Sequence, residues 1–168
     1  HTATHLLHFQ LRKILGDHVL QKGSLVNDNY LRFDFSHHSS IDKNSLQKIE
    51  ENINAMILKN ISLNEQKDIL ISEARQMGAL MLFGEKYSDK VRVIQFDESK
   101  ELCGGTHVSS TSEIALFKLI SESSVASGVR RIEAMTGISA YKLLNEKYEV
   151  VSNAESLLKS KDIIDGIH

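Results

Sequence analysis

The chain has 168 residues, of which 41% are hydrophobic, and its formal net charge at pH 7 is -2. This length and composition predict one compact domain, and the small net charge means that any RNA-binding surface must come from local clusters of Lys and Arg. A single cysteine excludes an internal disulfide and fits a reducing cytoplasm, and no apolar run reaches the ~20 residues of a membrane-spanning helix.

The first predicted element is an amphipathic helix over residues 1–15, which Gly16 can end. Its apolar stripe consists of Leu7, Leu11, Ile14 and Leu15. In such a helix His1 and His5 lie one turn apart on the same face. His8 shares this face, either as a substitute metal ligand or, the alternative that we favour, as a partly buried histidine beside the helix.

The middle of the chain predicts strands alternating with helices. Apolar and polar residues alternate along 30–37, which with residues 21–26 predicts two antiparallel strands joined by a turn. Residues 42–60 predict a long helix capped by Asp42. The other predicted elements are strands at 61–71, 91–96, 114–122 and 127–134, and a short helix at 72–77 capped by Ser72.

From residue 138 to about residue 161, apolar residues recur mostly three and four positions apart, which predicts another helix. Little chain follows on which this helix could pack. We therefore expect residues 138–168 to form a helical connector that leads to a further region, and residues 1–137 to form the functional domain.

The segment Glu101-Leu-Cys-Gly-Gly-Thr-His-Val108 contains the only cysteine of the chain. Cys103 and His107 are four positions apart, and the two glycines between them allow a tight turn. A thiolate and an imidazole from this turn, together with His1 and His5, form a set of four nitrogen and sulfur ligands that is typical of zinc. The sequence therefore predicts a Zn2+ site between the N-terminal helix and the Gly-Gly turn.

Six segments, spread over most of the chain up to Ala134, resemble the editing domain of alanyl-tRNA synthetases and its free-standing relatives. The segments are His1-Thr-Ala-Thr-His-Leu-Leu-His, Gln21-Lys-Gly-Ser-Leu-Val, Leu31-Arg-Phe-Asp-Phe-Ser-His, Leu82-Phe-Gly-Glu-Lys-Tyr, Leu102-Cys-Gly-Gly-Thr-His-Val and Gly128-Val-Arg-Arg-Ile-Glu-Ala. The two metal half-motifs also occur in threonyl-tRNA synthetases, whereas the second and fourth segments favour the alanyl branch. The resemblance implies an α+β fold with a curved, mainly antiparallel sheet and helices packed against it.

The resemblance also implies an activity, the hydrolysis of aminoacyl-tRNA. It implies that this deacylase contains zinc, is cytoplasmic and is part of an alanine-tRNA ligase. Its substrate would be alanine tRNA that carries serine or glycine at its 3′ end. A non-catalytic, zinc-stabilised RNA-binding module of a larger assembly is an alternative, and a zinc hydrolase of small amides or esters is another. We expect zinc to shape the pocket while water attacks nearby, with direct activation of the water by zinc as the second possibility.

A site that admits serine is large enough for alanine, so selectivity must use the serine hydroxyl. Thr4, within one turn of the predicted ligands, and Gln21, at the start of the next strand, are uncharged hydrogen-bonding residues suited to this task. Candidate cations for the RNA phosphates are Lys22, Arg32, Lys86, Arg130 and Arg131. In a strand, Arg130 and Arg131 point to opposite faces, so at most one of them is expected to face the site.

Overall fold

The computed structural model describes residues 1–82, 86–160 and 162–167 of the chain. These residues fold into helices and antiparallel sheets, which confirms the predicted α+β class. The helices are α1 (Thr2–Leu15), α2 (Lys43–Leu58), α3 (Ile71–Gln76), α4 (Gly137–Leu158) and α5 (Ile163–Ile167). The strands are β1 (Gln21–Val26), β2 (Leu31–Ser36), β3 (Asn64–Leu70), β4 (Lys90–Phe96), β5 (Ser99–Leu102), β6 (Phe117–Ala126) and β7 (Val129–Thr136), and a short 3-10 helix covers Thr111–Ile114.

Helix α1 forms where the apolar periodicity predicts it. Of the predicted apolar stripe, Leu7 and Leu11 are fully buried and Ile14 and Leu15 partly buried, and Leu6 is fully buried as well. Gly16 ends the helix with a φ of +116°, a backbone conformation that residues with a side chain rarely adopt. Polar residues of the first turn, such as Thr2, are also buried, so the start of α1 lies inside the molecule.

The strands lie in two antiparallel sheets rather than in the single curved sheet that the resemblance implies. The larger sheet has the order β1-β2-β7-β6 and the smaller one the order β3-β4-β5. Strands β1 and β2 form the predicted hairpin, with Val26 opposite Leu31. Irregularities in register interrupt β1, β3 and β6, and bulges of this kind bend and twist a strand.

The main core lies between the larger sheet and helices α1 and α2. Phe33 and Phe35 of β2 and Ile132 of β7 are fully buried in one cluster with Ile49 and Ile53 of α2. Burying a side chain of this size contributes about 1.5–3 kcal/mol to stability. This core therefore fixes α1 against the larger sheet, and with it two predicted metal ligands, His5 in the first turn and His1 directly before the helix.

A smaller core joins α3 to the smaller sheet and contains Ala74, Val93 and Leu102. The predicted cap of α3 at Ser72 is wrong, because the residue before the helix is Leu70 and it makes no side-chain capping bond. Strand β3 runs directly into α3, so the pairing of β3 with β4 sets the start of this helix without a polar cap.

Helix α2 is capped as predicted, since Asp42 Oδ1 accepts a hydrogen bond of 2.9 Å from the backbone N–H of Ser45. Its C-terminal end is joined to the 3-10 helix by the buried Thr111. The hydroxyl of Thr111 donates to the carbonyl of Met56 at 2.7 Å and accepts from the N–H of Ile61 at 2.9 Å. This connection holds the 3-10 helix against α2.

Helix α4 follows β7 directly and is mostly exposed. Among the described residues of α4 only Ala140 is buried, whereas Tyr148 is 70% and Leu157 84% exposed. The position of α4 agrees with the predicted helix, and the division into residues 1–137 and 138–168 stays a prediction. Within the described part of the chain, no helix has the length and apolar character needed to cross a membrane.

Candidate metal centre

Three of the four predicted ligands converge in the structure. His1 directly precedes α1, Cys103 follows β5, and His107 follows the Gly-Gly turn. One potential ligand atom from each of these residues lies within 4.8 Å of the other two. His107 Nε2 is 3.3 Å from Cys103 Sγ. Segments about a hundred positions apart in sequence thus bring two imidazoles and a thiol together, a donor set that fits zinc.

Gly105 lies so close to the side chain of His1 that any Cβ atom at this position would require the imidazole to move. A Cβ atom built on Gly105 would be 1.6 Å from His1 Nδ1, whereas one built on Gly104 would meet nothing within 4 Å. The two glycines therefore have different roles. Gly105 allows the turn to approach His1, and the structure places no such demand on Gly104.

The loop that carries Cys103 and His107 is tied to the first turn of α1 by Thr2. Thr2 Oγ1 lies 3.0 Å from His107 Nδ1 and accepts a hydrogen bond of 3.3 Å from the N–H of Val108. A second N–H, that of Gly105, points at Cys103 Sγ from 3.3 Å. These contacts engage Nδ1 of His107 with Thr2 and leave Nε2 towards the sulfur, which is the arrangement that a shared metal requires.

Arg92, which sequence analysis did not identify, holds the same loop from the other side. Its Nη1 donates to the carbonyl of Cys103 at 3.0 Å and also to the carbonyl of Gly105, while its Nε forms an ion pair with Glu65. Because β4 carries Arg92 and β3 carries Glu65, the smaller sheet positions the candidate ligand loop. No local sequence pattern indicates this contact, since it joins residues 11 and 13 positions apart through backbone oxygens.

His5, the fourth predicted ligand, lies next to the group of three but faces a buried carboxylate. Its ring centroid is 4.7 Å from that of His107, and its Nε2 is 3.6 Å from Glu101 Oε2. The other oxygen of Glu101 bonds to His8 Nδ1 at 2.8 Å. Glu101 and both of these α1 histidines are buried. The expectation that His8 is a buried histidine beside the helix agrees with this position.

Burial favours the neutral form of the imidazoles of His107 and His5. It lowers the pKa of His107 to about 3, and the positive charges of His5, the chain's amino group and Arg92 act in the same direction. The pKa of His5 is also lowered, first by burial, although the carboxylate of Glu101 opposes the shift. Since metals bind the neutral imidazole, both rings have the required protonation state at pH 7.

A cavity of about 480 Å³ lies beside the candidate ligands, and His1 and His107 form part of its wall. Its polar lining comes from Thr2, Asn27, Asn29, Tyr30, Thr106, Glu113 and Thr136. Hydrogen bonds from the hydroxyl of Ser109 and the N–H of Ser110 lower the pKa of Glu113, so this group is a carboxylate at pH 7. A cavity of this size with several uncharged polar groups can hold a small polar ligand next to a metal.

Comparison with known proteins shows which proteins this chain resembles. Residues 91–133 match the threonyl and alanyl tRNA synthetase second additional domain. The alanine-tRNA ligase of Cytophaga hutchinsonii is 52% identical over 170 residues, which cover 99% of this chain and 19% of that protein. The alanine-tRNA ligase of Christiangramia forsetii is 54% identical over 169 residues, covering 100% of this chain and 19% of the ligase. Over almost its whole length the chain is therefore similar to one region of alanine-tRNA ligases.

The chain spans about a fifth of the length of these alanine-tRNA ligases. A third ligase, from Thermoanaerobacter pseudethanolicus, is 53% identical over 163 residues, which are 96% of this chain and 18% of the ligase. The match to the second additional domain includes Arg92, Glu101, Cys103 and His107. The similarity to the alanine-tRNA ligases extends over almost the entire chain. It therefore includes both the segment with His1 and His5 and the loop with Cys103 and His107.

The two residues predicted to recognise a hydroxyl group lie in different places. Thr4 is 5% exposed, follows the cavity-lining Ala3, and has no hydrogen-bond partner for Oγ1 in the described part of the chain. Gln21 begins β1, whereas Val26 at the other end of that strand lines the cavity. Five steps along a strand amount to about 17 Å. Thr4 is thus the nearer candidate.

Two of the five cations predicted to bind RNA, Arg130 and Arg131, each form an ion pair with two hydrogen bonds. Arg131 donates to both oxygens of Asp34, at 2.7 and 2.8 Å, and Arg130 makes a two-bond contact with Glu122. Hydrogen bonding to these carboxylates raises the pKa of each arginine. Because adjacent strands supply the carboxylates, the register of β2, β7 and β6 determines these pairs.

The other three predicted RNA contacts are spread over the surface. Arg32 Nε is 3.9 Å from Asp34 Oδ2, and Lys22 and Lys86 are exposed. Lys86 follows residues 83–85, which lie outside the described part of the chain, so the Leu82–Tyr87 segment of the resemblance is described only at its ends. Among the described residues that line the cavity there is none of these five cations, and their role in RNA binding stays a prediction.

Proposed function

We propose that this chain is a zinc-containing editing domain that removes serine, and also glycine, from the 3′ end of mischarged alanine tRNA. The observation that carries the proposal is the convergence of His1, Cys103 and His107 beside a cavity whose wall includes the two histidines. Similarity to alanine-tRNA ligases over almost the whole chain supports tRNA as the substrate class. For glycine the support comes from the resemblance alone.

The proposed metal ligands are His1, Cys103 and His107, with His5 as the fourth. Bound zinc would hold the substrate and polarise its ester carbonyl. Thr2 and Arg92 would keep the loop in place, the first through His107 and Val108 and the second through the loop carbonyls. Cys103 is not proposed as a covalent nucleophile, because a metal-bound thiolate is already engaged.

Recognition of serine would depend on a buried hydroxyl partner. Thr4 is buried and its Oγ1 makes no hydrogen bond with the described residues. A hydrogen bond from Thr4 to the serine hydroxyl would satisfy both groups, whereas bound alanine would leave Thr4 unpaired. A site of this type can discriminate by a factor of about 10⁴. Gln21 is proposed for the same task on its residue type and position in the resemblance.

RNA binding would use cations that are exposed at the surface. Lys22 and Lys86 are the exposed members of the predicted set. Arg130 and Arg131 would have to exchange Glu122 and Asp34 for phosphate in order to bind RNA directly. We therefore propose that these two arginines chiefly maintain the sheet. Lys22 and Lys86 are proposed to contribute to the salt dependence of RNA affinity because they are exposed.

The test is a hydrolysis assay with seryl-tRNA and alanyl-tRNA, both made on alanine tRNA, using the chain and its Cys103→Ala variant. We expect rapid loss of serine, slow loss of alanine, and neither activity nor bound zinc in the variant. Binding of tRNA without turnover would instead support the non-catalytic RNA-binding module. Hydrolysis of free amides or esters without tRNA would support the small-substrate hydrolase.

A further inference from the structure

Glu101 is a buried carboxylate that joins two histidines of α1 to the strand leading into the candidate ligand loop. It lies in β5, two residues before Cys103, and is 4% exposed. Oε1 is 2.8 Å from His8 Nδ1, and Oε2 is 3.6 Å from His5 Nε2. A carboxylate in such a place is costly unless its oxygens face donors, so both ring nitrogens that face it carry hydrogen.

This arrangement determines which nitrogen of His5 has the lone pair. With hydrogen on Nε2, the neutral ring has its lone pair on Nδ1. Nδ1 of His5 is buried, and the described residues provide no hydrogen-bond partner for it. The ring lies 4.7 Å from that of His107, so the lone pair belongs to a side chain in direct contact with the candidate centre.

His8 has the same relation to Glu101 but a different environment. Its ring packs against Phe33 in the main core, with centroids 5.2 Å apart. A hydrogen bond of 2.8 Å to Glu101 fixes this ring where it packs. Nε2 of His8 is, like Nδ1 of His5, buried without a hydrogen-bond partner among the described residues, so the two histidines differ in what their rings pack against, which is His107 for His5 and Phe33 for His8.

We propose that Glu101 is a positioning residue that makes Nδ1 of His5 the ligand atom and keeps His8 out of the metal shell. This inference rests on the metal site of the proposed function but not on its substrate. A carboxylate behind a ligating histidine is a common arrangement in zinc proteins, where it fixes the tautomer and orientation of the ring. Here the carboxylate of Glu101 would be the partner of one histidine that binds the metal, His5, and of one that does not, His8.

The direct experiment is a two-bond 1H–15N NMR correlation of the zinc-loaded chain with labelled histidine. We expect His5 to be protonated at Nε2 and bound to metal through Nδ1, and His8 to be protonated at Nδ1 with no metal-induced shift at Nε2. Metal binding through Nε2 of His5, binding by His8, or a chain that takes up no zinc would each overturn the inference.

Variants provide a second readout, the zinc affinity measured by competition with a chelator. Glu101→Gln places an amide N–H₂ where an acceptor is needed, so we expect affinity to fall by about 10–100-fold. Glu133→Gln is the matched control, because that carboxylate accepts from Ser121 within the larger sheet. His8→Asn retains a donor for Glu101 and, like the control, should stay within about threefold of the unmodified chain.

A folded Glu101→Gln variant with unchanged zinc affinity would contradict the role of Glu101, and if this variant does not fold, the NMR experiment on the unmodified chain decides. The result is separable from the proposed function. A chain with the expected His5 tautomer that fails to hydrolyse seryl-tRNA would retain the inference and lose the function. A chain that hydrolyses seryl-tRNA but binds zinc through Nε2 of His5 would retain the function and lose the inference.

Discussion

The absence of a Cβ atom at Gly105 leaves room for the side chain of His1 beside the candidate ligand loop. A Cβ atom on Gly105 would be 1.6 Å from His1 Nδ1. We therefore predict that Gly105→Ala displaces His1 and lowers zinc affinity by more than about tenfold. The measurement is competition with a chelator of known affinity.

Gly104 provides the matched control for this substitution. An added Cβ at Gly104 meets no atom within 4 Å. Gly104→Ala should therefore retain zinc affinity, because it changes the same turn without filling the space next to His1. Equal losses in the two variants would show that the turn needs flexible backbone and not a close approach to His1.

The hydroxyl of Thr4 is the residue-scale basis of the proposed selectivity. Thr4→Val keeps the shape of the side chain and removes a buried hydroxyl that has no partner among the described residues. We predict that kcat/KM for seryl-tRNA falls by about tenfold or more, while hydrolysis of alanyl-tRNA stays the same. The melting temperature should not fall, because no hydrogen bond within the described structure is lost.

Gln21→Ala tests the second predicted specificity residue in the same assay. If Gln21 and not Thr4 changes the ratio of seryl-tRNA to alanyl-tRNA hydrolysis, the assignment of the hydroxyl partner to Thr4 is wrong. A change in neither variant would move the recognition of serine to the polar groups that line the cavity.

At the scale of elements, the smaller sheet acts as a support for the ligand loop through Arg92. Its guanidinium contacts two loop carbonyls and Glu65 at once, which a single ammonium group cannot reproduce in the same planar geometry. We predict that Arg92→Lys lowers zinc affinity by about tenfold. Lys67→Ala is the control, since Lys67 contacts the same Glu65 from an exposed position. If both variants bind zinc as tightly as the unmodified chain, Arg92 does not support the ligand loop.

The elements themselves were predictable where local chemistry determines them. The periodicity of α1, the turn between β1 and β2, and the cap of Asp42 on α2 all act over a few residues, and all three are confirmed. The start of α3 was predicted at the wrong residue, because Ser72 is a good cap in isolation but strand β3 runs directly into the helix. The short β5 was missed, since four residues carry no clear period.

At the scale of the whole molecule, burial of neutral histidines makes stability depend on pH. The pKa of His107 is about 3 in the folded chain and 6.5 in its ordinary state. Between these values the unfolded chain binds a proton that the folded chain does not, so the free energy of unfolding decreases as pH falls below 6.5. His5 and His37, whose pKa values are also lowered, act in the same direction.

We therefore predict that the metal-free chain unfolds at a lower urea concentration at pH 5 than at pH 7. The His107→Asn variant should show a smaller difference between the two pH values, because it lacks the largest of these contributions. An unfolding midpoint that is the same at both pH values would contradict the burial of neutral imidazoles.

The candidate site was predictable only in part, for a physical reason. Residue type and spacing indicated His1, His5, Cys103 and His107 as ligands, and the structure brings three of them together. The supporting contacts of Arg92 and Glu101 depend on how β4, β5 and α1 pack. Likewise, the ion pairs of Arg130 and Arg131 could not be predicted, so both were expected to bind phosphate. Their carboxylate partners lie on neighbouring strands, and only the strand register shows that they meet.

The most direct test of the account is the ratio of seryl-tRNA to alanyl-tRNA hydrolysis, measured on the zinc-loaded chain and again after treatment with a chelator. The account predicts a high ratio with zinc, loss of serine removal after chelation, and recovery when zinc is restored. Equal hydrolysis of the two substrates, or serine removal that persists without metal, would contradict a metal centre built from two distant segments beside a cavity that senses a hydroxyl group.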